Sequence, residues 1–96
     1  MDKEIEKAIT IKGVKAKFGE FRTEEKPTNT KSHVVVINGK RYRIMTELYE
    51  NGEGVYRISE VDNKGIPVKD LTEQEFNKIK NEEATTRSTL ETEVEP

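Results

Sequence analysis

The chain has one histidine, His33, and no cysteine. An imidazole titrating near neutrality can act as a general base, but it needs a nucleophile or a positioned acid beside it. Neither stands at a recognisable spacing from His33, which lies where a polar stretch meets a strand. One histidine with scattered carboxylates matches no zinc or calcium ligand spacing. Gly52-Glu53-Gly54 is no phosphate cradle, since its centre is acidic and no Gly-Lys-Ser/Thr follows. Glu73 with Glu75, and Glu82 with Glu83, are the paired acids of a solubilised helix. This inventory points away from catalysis, and no cofactor or metal is expected.

Charge is more informative, because it is segregated. Residues 1–45 hold eleven Lys/Arg against six Asp/Glu, a charge of +5, and residues 46–96 hold six against thirteen, a charge of −7. The net charge of −2 therefore hides two opposite fields, which act on partner choice and encounter rate. Two candidate contact sets follow. Lys15, Lys17, Lys40, Arg41 and Arg43, with Lys12 nearby and Tyr42 and Phe18 interleaved, could bind phosphate and stack bases if their strands are adjacent. Glu47, Glu50, Glu53, Glu60 and Asp62 form an acidic set around two turns, suited to a basic protein surface or to imitation of nucleic-acid phosphates. A sequence pI near 5.5 is unlike a dedicated nucleic-acid binder. The strand alternation that turns Arg41 and Arg43 outward also turns Tyr42 inward, away from any base.

Length and composition set the scale. Ninety-six residues, 31% hydrophobic and 38% charged, make one small domain with a thin core. The organisation read from the sequence is a single α+β domain over 1–83, with a polar loop at 22–33, and a flexible acidic tail at 84–96. The absence of cysteine fits a reducing, cytoplasmic setting. Met1-Asp2-Lys3-Glu4 enters mixed charge rather than an apolar signal segment. The longest apolar run, Val34 to Ile37, is far short of the ~20 residues that cross a bilayer. No membrane association is expected.

The positioning elements can be read from periodicity and turn chemistry. Residues 2–7 suit a short helical turn or a loose end. Ile9 and Ile11, then Val14, Ala16 and Phe18, alternate with polar residues, and the phase shifts at Gly13, which suits either a β-bulge or two short strands at a kink. Val34-Val35-Val36-Ile37, then Asn38-Gly39, then Lys40 to Met45 spell a hairpin with a type I′ turn. The first strand, apolar on both faces, should be central. Turns at Glu50–Gly54 and Asp62–Gly65 bracket a strand at Val55–Val61, and Pro67 confines Ile66–Val68 to an edge. Thr72 and Glu75 form a capping box, with Leu71 and Phe76 at staple spacing, so a helix runs from Glu73 to Glu83.

These elements predict a small antiparallel sheet of three to five strands, a meander and possibly barrel-like, crossed by one C-terminal helix. The expected core is Ile9, Ile11, Val14, Phe18, Val34, Val36, Tyr42, Ile44, Val55, Ile58, Val61, Leu71, Phe76 and Ile79. No stretch matches a family motif. In composition the chain is similar to the small early proteins with which bacteriophages of Gram-positive hosts bind and redirect host machinery. That resemblance implies a cytoplasmic inhibitor or modulator of a host protein. The function expected is therefore non-enzymatic protein binding, with nucleic-acid binding through the basic strands as the alternative. The charge split would also allow two copies to pair as a homodimer, basic half to acidic half.

Overall fold

The computed structural model describes residues 3–82 and the backbone of residues 86–94. The elements in chain order are α1 (Lys3–Ala8), β1 (Thr10–Ile11), β2 (Val14–Lys15), β3 (Lys17–Phe18), β4 (Asn29–Ile37), β5 (Lys40–Leu48), β6 (Gly54–Val61), β7 (Pro67–Asp70), α2 (Glu73–Glu82) and β8 (Thr86–Val94). They form a small α+β fold around a six-stranded sheet in the order β3-β6-β5-β4-β8, with β7 also on β6. Strand β5 occupies one side of β6, so β3 and β7 share the other, end to end. The β3–β6 pairing is parallel and the remaining pairs are antiparallel. The sheet is therefore mixed and open, not a closed barrel.

Local chemistry explains the turns. Asn38 and Gly39 have φ of 51° and 82°, the double positive φ that a type I′ turn requires, and β4 and β5 leave it in unbroken register from Ile37↔Lys40 to Asn29↔Leu48. Lys12 and Gly13 repeat that signature at 51° and 79°. The phase shift at Gly13 is thus the tip of a small β1–β2 hairpin rather than a bulge. In the turn after β6, the Asp62 carboxylate accepts the amides of Lys64 and Ile66, both at 2.9 Å. At the start of α2 the capping box closes as the sequence suggests. The Glu75 amide donates to Thr72 Oγ1 at 3.1 Å, and the Thr72 amide donates to Glu75 Oε1 at 2.8 Å.

Alternation then sorts the sheet into two faces. On one, Val35, Ile37, Tyr42, Ile44, Tyr56 and Ile58 join Ile5 and Ala8 of α1, Phe76 of α2 and Leu71 just before that helix in a single buried cluster. Both helices therefore cover the same side. Phe18, Tyr56 and Phe76 stack edge-to-face across it, with centroids 5.5 and 6.0 Å apart. Val14, Phe18, Val36, Val55 and Ile79, expected in the core, are only partly buried. Ile5, Ala8, Val35, Tyr49 and Tyr56 are buried although the sequence reading left them out.

Two expectations about polar segments change. The loop expected at 22–33 ends early, because Asn29–Ser32 belong to β4, where β5 and β8 satisfy their backbone groups on both sides. The tail expected to be flexible from 84 is a strand over 86–94, in antiparallel register with all nine residues of β4. Residues 84, 85, 95 and 96, and the expected helix end at Glu83, lie outside the described residues. Among the described residues no helix is long and apolar enough to cross a membrane.

Two stability measurements test this arrangement. Gly39→Val places a β-branched residue at positive φ and should destabilise by on the order of 1–3 kcal/mol in urea unfolding. Deleting residues 85–96 strips one neighbour from β4 and should cost more than about 1 kcal/mol, the net worth of a single hydrogen bond. A truncated chain with the full-length denaturant midpoint would show that β8 adds nothing to the fold.

Candidate functional site

The face of the sheet opposite the helices is built in rows. Val34 of β4, Arg43 of β5 and Ser59 of β6 stand in register, followed by Asp70 of β7. One row down lie Ser32, Met45 and Arg57, and below them Thr30, Glu47, Val55 and Lys17. Val36 and Arg41 close the face at the hairpin end. Met45 is 44% exposed at the middle of it, between Arg43 on its own strand and Arg57 on the next.

The arginines are held rather than loose. Arg57 donates to Glu20 Oε2 at 2.7 Å and to the Gly19 carbonyl at 3.3 Å, with its guanidinium 5.5 Å from the centre of the Phe18 ring. Arg43 donates to the Ser32 hydroxyl. Arg41 reaches the Asn63 carbonyl at 3.3 Å. A guanidinium carries five N–H donors, more than Arg41 and Arg57 use in these contacts.

The sequence-derived sets are not brought together as sets. In the basic set, Arg41 and Arg43 lie on the open face as the alternation requires, and Lys17 lies at its far corner. Lys40 sits at the hairpin, 3.7 Å from Glu60. Lys15 belongs to the separate two-stranded β1–β2 sheet. In the acidic set, Glu47, Glu50 and Glu53 gather at one end of β6 and Glu60 and Asp62 at the other, roughly 23 Å along the strand. Glu60 is paired with Lys40, and Asp62 is occupied within its own turn. Glu50 is exposed in the turn after β5.

Glu47 and Glu53 instead belong to a polar cluster that the sequence does not signal. The Tyr49 hydroxyl donates to Glu47 Oε1 at 2.5 Å and accepts the Arg22 amide at 3.0 Å. Burial, and then the bond to Glu47, push the Tyr49 phenol above its ordinary value. The Arg22 guanidinium lies 4.7 Å from the centre of the Tyr49 ring and pairs with both Glu25 and Glu53. This cluster ties the connection between β3 and β4 to the turn after β5. An aromatic followed by an acidic turn was its only trace in the chain.

His33, the one candidate general base, is sealed in the core at 0% exposure. It stands in register with Ile44 on the helix-covered face, and neither ring nitrogen has a hydrogen-bond partner among the described residues. Beside it, the Lys31 ammonium donates to the carbonyls of Lys7 at 2.6 Å and Thr10 at 2.5 Å, and the Thr46 hydroxyl donates to that of Ala8 at 3.2 Å. The end of α1 is thereby fastened to the sheet. Comparison with family models, curated proteins and solved structures finds no match for this chain.

The burial of His33 has a measurable consequence. Desolvation first, then the charge of Lys31, with Lys7 adding to it and Glu4 opposing it, depress its pKa below 6.5. The unfolded chain therefore binds the proton more readily than the folded one. Stability is complete above about 6.5 and is lost as pH falls through the depressed value, by at most about 1.4 kcal/mol per pH unit. His33→Leu should flatten that slope in urea titrations at pH 7.0 and 5.5 while matching or exceeding wild-type stability at pH 7, since an unpartnered buried polar ring is removed. An unchanged slope would mean that His33 is hydrated in the native state.

Proposed function

We propose that this chain is a non-enzymatic protein-binding module that meets its partner with the helix-free face of the sheet, as a small phage-type inhibitor or modulator of a host protein would. The observation that carries the reading is the exposed Met45 held between Arg43 and Arg57. Arginine, methionine and aromatic residues are enriched where proteins meet, and lysine is depleted. Arginines already fixed by Ser32 and Glu20 lose little freedom when a partner docks, which lowers the cost of binding. The face suits an acidic protein surface with an apolar centre. A non-enzymatic role is supported by His33, the sole histidine, lying out of reach of any substrate.

Nucleic-acid binding remains the runner-up, through Arg41, Arg43 and Lys17. It is the weaker reading because Tyr42 and Tyr56 lie on the core side of their strands and cannot stack bases. The acidic set is weaker still as a contact, since Glu60, Asp62, Glu47 and Glu53 are already engaged within the chain.

Affinity capture from a bacterial lysate, with and without nuclease, separates these readings. Wild type should retain a protein that survives nuclease, and Met45→Asp should weaken that capture at least tenfold, the scale of one interface hot spot. Glu50→Lys, at the remote turn, should leave capture intact. Recovery of bulk nucleic acid that disappears in the Arg41→Glu/Arg43→Glu variant would overturn the proposal in favour of the runner-up.

A further inference from the structure

We infer that the outer edge of β8 pairs with the β8 edge of a second copy, forming a two-fold dimer with one continuous sheet. The sheet ends differently on its two sides. On the β6 side the edge is broken into the two-residue β3 and the four-residue β7, Pro67 lacks an N–H, and the register slips between Glu60 and Val61. Short pieces, proline and bulges are how natural sheets guard an edge against association. On the other side β8 runs nine residues in unbroken register with β4, without proline, glycine or bulge. Among the described residues no strand covers its far side. An edge of that length, uninterrupted by any of these, is a template for another strand.

The sequence of β8 is complementary to itself about its centre. An antiparallel pair related by a two-fold axis through Leu90 sets Leu90 opposite Leu90, Thr89 opposite Glu91, Ser88 opposite Thr92, Arg87 opposite Glu93 and Thr86 opposite Val94. All nine positions are used, and each arginine position meets a glutamate position. Moving the axis to Glu91 sets two glutamates opposite each other. Moving it to Thr89 leaves the second glutamate position, Glu93, beyond the pairing. Opposite charges across strands stabilise and like charges oppose, so the Leu90 register is favoured.

This interface differs from a pairing of the basic with the acidic half of the chain, and it does not use the Met45 face. Its failure would leave the proposed protein contact standing.

Sedimentation equilibrium and cross-linking on the full chain test it. Wild type should dimerise with concentration. Arg87→Glu and Glu93→Arg should each weaken dimerisation about tenfold, because every substitution acts twice across the axis. The Arg87→Glu/Glu93→Arg double variant, which restores opposite charges in the same register, should recover it. The chain contains no cysteine, so a single introduced one can only link two copies. Leu90→Cys, at the axis, should oxidise to a covalent dimer. Thr92→Cys, roughly 13 Å from its counterpart, should not, since a disulfide needs Cα atoms within about 7 Å. A monomer up to about 1 mM, the weak end of measurable affinity, would overturn the inference. So would a dimer indifferent to Arg87→Glu, or equal cross-linking at both positions.

Discussion

Apolar area is the scarce quantity in this protein, and its distribution organises everything else. With 31% hydrophobic residues, the chain can cover one face of a six-stranded sheet with helices but cannot cover both. The helices α1 and α2 are accordingly placed on the same side, and their apolar residues meet Val35, Ile37, Ile44 and Ile58 there. The opposite face is left to long amphipathic side chains and small polar ones. Val34 lies on that face yet is only 7% exposed, in register with Arg43. An arginine stem can shield an aliphatic neighbour while its head stays in water. The features that make the open face a candidate contact surface thus follow from the limited supply of core.

Strand β4 is where this constraint becomes visible. It is paired along its whole length on both sides, and its buried face carries His33, Val35 and Ile37. Its first residues are polar, and strand pairing on both sides holds them extended. The same side-by-side pairing fastens α1, whose terminal carbonyls are taken by Lys31 of β4 and Thr46 of β5. A six-residue helix has little stability alone, so these bonds and the burial of Ile5 account for its presence.

The segregation of charge along the chain does not survive folding. Lys40 pairs with Glu60, Arg22 with Glu53, and Arg57 with Glu20, each joining the first half of the chain to the second. The antiparallel order of β4, β5 and β6 interleaves residues far apart in sequence, so the two opposing fields become short-range pairs. Exposed pairs of this kind contribute little stability individually. Arg22 also lies over the Tyr49 ring, a contact that ties down the connection before β4. What remains unbalanced locally is the arginine-rich open face.

What the sequence determined by itself is local. The Asn38-Gly39 turn, the Thr72/Glu75 cap, the outward Arg41 and Arg43 and the edge role of Pro67 each depend on a few neighbouring residues whose dihedral or hydrogen-bonding needs are visible in the chain. Tertiary structure decided what depends on partners distant in sequence. Polar Asn29–Ser32 and the Thr/Glu-rich stretch 86–94 read as solvated segments, yet both are extended because β4 and β8 lie side by side, 49 to 65 residues apart in sequence along the ladder. The parallel β3–β6 pairing, the burial of His33 and the cluster around Tyr49 are of the same kind. None has a periodicity of its own, since the hydrogen bonds and contacts that define it exist only once the sheet has assembled.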